Sequence, residues 1–389
     1  MSHAANQART FLRLLAELRP HWRRDAALPA RIQALLARER AFGSRDRRLY
    51  RELIYTTLRY LPWIEPQLDA NPDEAVRRVA WLAAEIPATK NFRAALATGA
   101  PPAGDKRELL PAWFRVECPE LFSTPELDVQ LRRAPLWLRL QTDQPQTVFD
   151  EFAAHGWSWR AAEILPRAVQ LLDEVDVTKS DAFLAGRIEV QDLGSQLILE
   201  SIGVEPGGAW LDTCAGAGGK TLQLAQLLGP GGRIDAHDVR RAALEELQKR
   251  AARGGVQNIR LVAGPITARY EGVLVDAPCS GSGTWRRAPH LKWTTTPETV
   301  ARAGEKQAAL LHAFSAHVRP GGRLVYATCS LASRENEAVV ADFLTAHPDF
   351  SPAPFASGFG ALARGAGRLI LPSSHDSDGF FVASLRRNP

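Results

Sequence analysis

The sequence predicts an α/β protein whose main part is a doubly wound, mostly parallel sheet, preceded by an all-α domain and a small α+β connector. The chain has 389 residues, which exceeds one ordinary domain. Helical periodicity alone fills roughly the first 105 residues, whereas strand and helix patterns alternate from residue 191 to the end. We therefore expect three domains, at residues 1–105, 106–190 and 191–389.

The first domain shows helical spacing of apolar residues, as in Phe11, Leu14 and Leu18. Ser44 predicts a helix start, and Pro62 is expected to end the helix that follows. These helices account for the core of the domain, so any function of this part must come from its surface.

Positive charge is concentrated at the start of the chain. The first 60 residues hold 13 arginines and five acidic residues, whereas the whole chain has a net charge of +5. Arg45, Arg47, Arg48 and Arg51 fall within two helical turns and predict a phosphate-binding face, which points to nucleic acid. The alternative is an arginine-rich surface that is only solvated.

The connector contains one clear strand, Leu136–Leu140, and the third domain contains six. The candidate strands of the third domain are Ala209–Asp212, Gly232–His237, Ile259–Val262, Gly272–Asp276, Arg323–Thr328 and Gly379–Ser384. The helical stretches between them are Thr221–Leu228, Ala242–Arg253 and Pro297–His317. In such a sheet, ligands bind at the carboxyl ends of the strands near the point where the strand order reverses.

A glycine-rich loop follows the first of these strands, which ends at Asp212. Three adenine-nucleotide classes use such loops. A P-loop requires a glycine where Cys214 stands, and a dinucleotide loop requires one where Thr221 stands. An acid at the strand end with glycines four and six positions later, here Gly216 and Gly218, is the pattern of an S-adenosylmethionine site. The remaining alternative is a purely structural turn.

Four cysteines occur, Cys118, Cys214, Cys279 and Cys329, and none forms a CxxC pair or lies near a histidine cluster. We therefore expect no metal site, and reduced thiols in a cytosolic, cytoplasmic protein. The N-terminus has no apolar signal core and the chain has no 18-residue apolar run, so no membrane association is expected.

Cys279 and Cys329 each follow the carboxyl end of a core strand, in the fourth and fifth strands of the predicted sheet. Neighbouring strand ends would direct both thiols into the crevice that holds the glycine-rich loop. A buried cysteine usually packs as a small apolar residue, which suits Cys118 and Cys214. Packing alone does not account for two cysteines at equivalent strand ends, so chemistry is favoured for this pair.

Several segments of the third domain resemble those of the Nop/Sun family of RNA 5-methylcytosine methyltransferases. The similar segments are 191–196 (QDLGSQ), 212–221 (DTCAGAGGKT), 276–284 (DAPCSGSGT), 286–293 (RRAPHLKW), 326–330 (YATCS), 335–336 (EN) and 378–381 (DGFF). The resemblance covers about residues 191–389. It implies a class I S-adenosylmethionine methyltransferase fold, which is Rossmann-like, with S-adenosylmethionine as cofactor.

The resemblance also implies roles for individual residues. Cys329 resembles the nucleophile and Cys279 the cysteine used in product release. Asp276 resembles the acid beside cofactor and base, and Lys220 the lysine that supports the site. The implied cofactor contacts are Cys214, Ala215, Gly216, Ala217, Gly218, Gly219, Lys220, Asp238 and Asp276. For Asp238, acceptance of hydrogen bonds from ribose hydroxyls is the expected role.

The chemistry of such a site is specific. A thiolate that adds to C6 of cytosine turns the base into an enamine-like species whose C5 can attack a methyl sulfonium. Asp276 stands where it could donate to N3 of the base. In the helical domain the stretch 43–53 (GSRDRRLYREL) is similar to the bacterial small-subunit ribosomal-RNA branch, whose extra domain resembles the antitermination factor NusB. The resemblance implies ribosomal RNA as the partner. We also expect a monomer.

One position departs from the family pattern. The family usually has Gly-Asp after the third strand, whereas here Gly264 is followed by Pro265 and no acid occurs before Glu271. The contact to the adenine side is then either made by backbone groups or absent. Two other functions stay open: a DNA cytosine methyltransferase, and a catalytically silent RNA-binding ribosome-assembly factor that keeps the fold.

Overall fold

Helices come first along the chain, a small sheet follows, and alternating strands and helices complete it. The computed structural model describes residues 3–389. Its helices are α1 (His3–Leu18), α2 (Leu28–Arg38), α3 (Ser44–Arg59), α4 (Leu61–Ala70), α5 (Pro72–Leu82), α6 (Lys90–Leu96), α7 (Thr124–Leu131), α8 (Pro145–Ala154), α9 (Asp181–Leu184), α10 (Leu193–Ile202), α11 (Gly219–Leu228), α12 (Arg241–Arg253), α13 (Leu291–Thr294), α14 (Pro297–Ser315), α15 (Glu337–Ala346) and α16 (Pro372–His375). Its strands are β1 (Leu136–Leu140), β2 (Trp159–Ala162), β3 (Leu165–Leu171), β4 (Ile188–Val190), β5 (Gly208–Asp212), β6 (Gly232–Ala236), β7 (Ile259–Leu261), β8 (Tyr270–Asp276), β9 (Val318–Thr328), β10 (Phe350–Pro352), β11 (Leu362–Arg364), β12 (Gly367–Ile370) and β13 (Phe380–Arg387).

The described residues divide into two units. The first contains the residues as far as Arg133 together with Thr284–Pro297, and the second contains Ala134–Gly283 and Glu298–Pro389. The small sheet of the predicted connector lies in the second unit. The division into three functional domains stays a prediction.

The first unit buries the apolar faces of its helices in one core. The predicted residues Phe11, Leu14 and Leu18 are all in it. Helix α3 begins at Ser44 as predicted, where the side chain of Asp46 accepts a hydrogen bond from the amide of Gly43 at 3.0 Å. Pro62 does more than end α3, because it lies in the first turn of the next helix, where proline costs no hydrogen bond.

Residues 284–297, which follow the turn that carries Cys279, belong to the first unit. Lys292 is buried there and donates to the carbonyl oxygens of Arg59 at 2.9 Å and Leu109 at 3.1 Å. The indole nitrogen of Trp293 donates to the carbonyl oxygen of Leu58 at 2.6 Å. The bonds to Leu58 and Arg59 satisfy carbonyl groups at the end of helix α3.

The second unit contains two sheets. The smaller is antiparallel with the strand order β2-β3-β1-β4, and its Leu136–Leu140 strand is the one predicted. The larger has the order β11-β12-β13-β9-β8-β5-β6-β7, with β10 paired to β13. Strands β7, β6, β5, β8 and β9 are parallel, and β13 is antiparallel to β9.

The predicted mostly parallel sheet is thus confirmed, with its six strands in place. Strands β10, β11 and β12, each three or four residues long, were not predicted. The strand order reverses between β5 and β8, since the chain builds β6 and β7 on one side of β5 and then returns to the other side. The ends of β5 and β8 therefore border the crevice where ligands bind in such sheets.

Candidate active site

The glycine-rich loop connects β5 to α11 and has two backbone positions with positive φ, Gly216 at +54° and Gly218 at +92°. A Cβ at Gly218 would lie 2.2 Å from Cδ1 of Leu247, so only glycine fits that position. At Gly219, where α11 begins, a Cβ would meet no atom within 4 Å, and the loop is open on that side.

Asp212 lies at the end of β5 beneath this loop and is fully buried. It accepts hydrogen bonds from the hydroxyl of Thr221 at 2.7 Å and from the amide of Cys214 at 3.3 Å. Burial raises the pKa of Asp212 to about 7 and that of the Cys214 thiol to about 12. Cys214 is therefore held as a thiol and helps to form the loop.

Asp238 lies two residues past the end of β6, near the same loop. Its carboxylate accepts from the amide of Gly216 at 2.9 Å and from the amide and guanidinium of Arg240. Burial opposes ionisation of Asp238, but these hydrogen bonds outweigh it and lower its pKa to about 2. An ionised carboxylate has about four acceptor positions, so it can still accept from a ribose hydroxyl. That role stays a prediction.

Lys220 and Asp276 form an ion pair at the centre of the crevice, with Nζ 2.9 Å from Oδ2. The ammonium group also lies 5.1 Å from the centre of the Phe380 ring. Burial alone would lower the pKa of Lys220, but the charge of Asp276 and the hydrogen bond to it raise the pKa above its ordinary value. The lysine is therefore a fixed cation beside a half-buried carboxylate.

The two candidate thiols lie in contact. Cys279 Sγ is 3.3 Å from Cys329 Sγ, and both residues are partly exposed. This proximity follows from the parallel pairing of β8 with β9, whose register sets Asp276 opposite Ala327. The hydrogen bond with Cys329 and burial raise the pKa of Cys279 well above its ordinary value.

A close approach of three loops holds this arrangement. Gly283 donates its amide to the carbonyl oxygen of Cys329 at 2.9 Å and accepts from the amide of Gly379 at 2.8 Å. A Cβ at Gly283 would lie 2.0 Å from the carbonyl oxygen of Gly379, so a larger residue would separate the loops. No pattern in the sequence predicted a role for either glycine.

The structure brings together Lys220, Asp276, Cys279 and Cys329, as the sequence predicted for one crevice. It also places two residues there whose role the sequence did not predict. Phe380 lies beside Lys220, and Glu335 accepts hydrogen bonds from the turns after both cysteines. Both belong to short segments of the family resemblance, which was the only signal for them.

Pro265 lies in the exposed loop between β7 and β8, where the family usually has an acid. At the described positions no group of three or more His, Cys, Asp or Glu side chains could hold a metal ion. No helix within residues 3–389 is long and apolar enough to span a bilayer.

The parallel sheet, the glycine-rich loop and the carboxylates at the strand ends define a class I methyltransferase that uses S-adenosylmethionine. The residues fit that cofactor, because the loop is open above Gly219 and acids lie at the ends of β5, β6 and β8. A family model described as 16S rRNA methyltransferase RsmB/F matches residues 200–386.

The chain belongs to this family of ribosomal-RNA methyltransferases. It is 31% identical to ribosomal RNA small subunit methyltransferase B of Klebsiella pneumoniae subsp. pneumoniae over 73% of this chain and 68% of that protein. It is 35% identical to the probable ribosomal RNA small subunit methyltransferase B of Synechocystis, over 71% of this chain and 64% of that protein. The chain thus spans somewhat less than two thirds of the Synechocystis relative.

A solved structure described as a methyltransferase homologue from Pyrococcus horikoshii is similar as well. It shares 26% sequence identity with a TM-score of 0.61, over 70% of this chain and 93% of that chain. The chain is therefore similar to a solved methyltransferase homologue in its fold as well as in its sequence.

Proposed function

We propose that this chain transfers a methyl group from S-adenosylmethionine to C5 of a cytosine in RNA, with small-subunit ribosomal RNA in the cytoplasm as the substrate. The observation that carries the proposal is the pair of thiols 3.3 Å apart, near the Lys220–Asp276 ion pair at adjoining strand ends. A covalent mechanism needs a nucleophile, a group that assists its departure, and polar groups that orient the base.

In this mechanism the sulfur of Cys329 forms a bond to C6, and the electron pair of the C5–C6 double bond moves to C5. Asp276, supported by Lys220, is proposed to hold a proton on N3 of the base, so that the electron pair displaced toward N3 meets a positive charge. S-adenosylmethionine, when bound, supplies the electrophilic methyl group that C5 takes up and leaves as S-adenosylhomocysteine.

Release of the product requires two bonds to break. C5 loses its proton to a base, the C5–C6 double bond forms again, and the electron pair of the Cys329–C6 bond returns to sulfur. Cys279 is placed to donate its S–H to the departing sulfur, because the two sulfur atoms already lie at hydrogen-bond distance. This division assigns attack to Cys329 and assistance to Cys279.

The cofactor would be held by the loop from Cys214 to Lys220, by Asp238 and by Asp276. Ribosomal RNA is favoured as the substrate by the names of the relatives and by exposed arginines on helix α3. The arginines alone do not distinguish RNA from DNA, because both have phosphate groups. The preference for RNA comes from the family to which the chain belongs.

Two alanine variants test the roles of the thiols. Cys329→Ala should abolish methyl transfer and form no covalent complex with RNA. Cys279→Ala should still attack and methylate but fail to release the product, leaving protein bound to RNA through Cys329. A denaturing gel with radiolabelled RNA and cofactor distinguishes the two outcomes, and Cys118→Ala, at a buried cysteine of the first unit, is the matched control.

A trapped adduct in the Cys329 variant and none in the Cys279 variant would reverse the assignment. Methylation intact in both variants, without adducts, would rule out the covalent mechanism. Wild-type protein that binds ribosomal RNA but leaves every cytosine unmethylated would favour the silent assembly factor instead. Bisulfite sequencing of total RNA with and without the gene identifies the cytosine, as the one 5-methylcytosine that disappears.

A further inference from the structure

A buried carboxylate, that of Glu335, lies between the turns that carry the two thiols. Its Oε1 accepts from the amide of Ser280 at 2.8 Å, and its Oε2 accepts from the hydroxyls of Ser280 and Ser330, each at 2.5 Å. Ser280 directly follows Cys279, and Ser330 directly follows Cys329. One side chain therefore holds the residue after each thiol.

Both carboxyl oxygens of Glu335 accept hydrogen bonds inside the protein. The amide nitrogen of Gln307 donates to Oε1 at 2.9 Å, and the same nitrogen donates to the carbonyl oxygen of Pro278 at 2.9 Å. The hydroxyl of Tyr326 donates to the backbone carbonyl of Glu335 at 2.5 Å. All four donors to the carboxylate are neutral, so its negative charge is solvated by hydrogen bonds within the protein.

The serine hydroxyls form a consistent chain of donors around this charge. Since Ser330 donates to Glu335, its oxygen is left to accept from the amide of Ala332 at 3.0 Å and from Ser282 at 3.0 Å. Ser282 in turn accepts from the amide of Leu331 at 2.8 Å. Replacement of the carboxylate by an amide would put an NH₂ group on one side, so that either the amide of Ser280 would face a donor or the serine hydroxyls would have to turn round and accept.

We infer that Glu335 is a positioning residue of the proposed methyl-transfer site: its carboxylate sets the spacing of the two thiols, and its buried charge favours the state in which Cys279 keeps the shared proton. The inference rests on the proposed function only for its catalytic meaning. The carboxylate accepts two hydrogen bonds from the turn that follows Cys279 and one from the turn that follows Cys329. The two chemically identical thiols differ because the charge of Glu335 opposes ionisation of Cys279.

Electrostatic interactions also favour the state in which Cys279 keeps the proton. The hydrogen bond with Cys329, burial, and the charges of Cys329 and Glu335 raise the pKa of Cys279, whereas the amide of Gly281 opposes this. Among the ionisable groups, Glu335 and Tyr326 interact with Cys279. Lys220 is a cation, and its charge interacts with Cys329.

The test is the pH dependence of thiol alkylation in the full chain without RNA or cofactor. Iodoacetamide labelling followed by peptide mass spectrometry measures the rate at each cysteine separately. In the wild type, Cys329 should react first. In Glu335→Gln, the ratio of labelling at Cys329 to that at Cys279 at pH 8 should fall about tenfold, since removal of a like charge shifts a titration by about one pKa unit.

Glu189→Gln is the matched control, because Glu189 is an equally buried carboxylate of the same unit, paired with Arg250 and Arg253. It should lower the free energy of unfolding without changing the labelling ratio. An unchanged ratio in folded Glu335→Gln would overturn the inference. So would an equal change in Glu189→Gln, because the effect would then belong to general destabilisation.

If Glu335→Gln does not fold, the double variant Ser280→Ala, Ser330→Ala decides. It removes two donors but keeps the carboxylate, and the ratio should change about fivefold, the equivalent of one hydrogen bond. No change would overturn the inference. Methyl transfer is measured in parallel: a wild type inactive on RNA contradicts the proposed function, whereas the labelling ratio reports on Glu335 in either case.

Discussion

Two aspartates, one at the end of β5 and one two residues past the end of β6, have opposite electrostatic surroundings. Asp212 is enclosed, and burial raises its pKa to about 7 even though Thr221 donates to it. For Asp238, hydrogen bonds from Arg240 and Gly216 outweigh burial and lower the pKa to about 2. Two carboxyl groups near the same loop therefore contribute to folding stability with opposite dependence on pH.

The Asp212→Asn variant tests this difference. Because the pKa of Asp212 is higher in the folded than in the unfolded state, the folded protein binds the extra proton between about pH 4 and pH 7, and wild-type stability falls as pH rises through that window. The asparagine variant lacks this decrease, so relative to wild type it should gain on the order of a few kcal/mol between pH 4 and pH 8. Urea unfolding at several pH values measures the change.

Asp238→Asn is the matched control, and its effect has the opposite sign. A carboxyl with a lowered folded pKa stabilises the protein above the unfolded value near pH 4, and that contribution is lost as pH falls toward 2. Its replacement should therefore cost stability at neutral pH. Identical pH profiles for wild type and Asp212→Asn would contradict the assignment of a buried proton.

At the scale of elements, packing separates one of the four arginines of helix α3 from the other three. Arg45, Arg48 and Arg51 are exposed at a spacing of three, so they lie along one face. Arg47 is partly buried and donates to the carbonyl oxygen of Leu36 at 3.2 Å. The four arginines predicted as one face thus form a set of three, and Arg47 instead connects α3 to the end of α2.

Replacement of Arg45, Arg48 and Arg51 by glutamine should weaken binding of ribosomal RNA and flatten its salt dependence. The slope of log affinity against log salt should become shallower by about 0.7 to 0.9 for each phosphate that the variant no longer neutralises. Filter binding at several salt concentrations measures both effects. Arg241→Gln, at an exposed arginine of helix α12, is the control; an unchanged slope in the triple variant would indicate that these charges are only solvated.

At the scale of the whole molecule, the chain completes its first unit with residues that lie far apart in sequence. Trp285 is fully buried in that unit, with its ring centre 4.6 Å from that of Phe114. Arg286 donates to the carbonyl oxygens of Arg132 and Arg133, which precede it by 154 and 153 positions. Residues 284–297 are therefore part of the unit that begins the chain, although a long stretch of sequence separates them from it.

Trp285→Ala should destabilise residues 106–133 although it lies far away in sequence. Loss of a fully buried indole costs about 3–5 kcal/mol. Hydrogen exchange followed by mass spectrometry should show reduced protection of those amides, and denaturant unfolding should give the magnitude. Trp113→Ala, which removes a half-buried ring in contact with the same Phe114, should cost less. Full protection of residues 106–133 in Trp285→Ala would contradict the assignment of this segment.

Short sequence patterns were sufficient to predict the features that depend on neighbouring residues: the strands, the glycine-rich loop and the placement of two cysteines. The alternation of short strand patterns with helical stretches predicted strands β5 to β9, and glycines after Asp212 predicted the loop. The two cysteines could be placed together because parallel neighbouring strands end at the same edge. These features depend on short stretches of sequence and on the topology of one sheet.

Only the tertiary structure decided which distant residues complete those parts. Glu335 meets Ser280 across 55 positions, and Lys292 meets Arg59 across 233. Such contacts leave no periodic signal, because a hydrogen bond between loops depends on how the strands are arranged and not on the neighbours in sequence. Local physical chemistry determined the strands, the loop and the positions of the thiols. Long-range packing decided which side chain connects the turns of the two thiols and which unit contains residues 284–297.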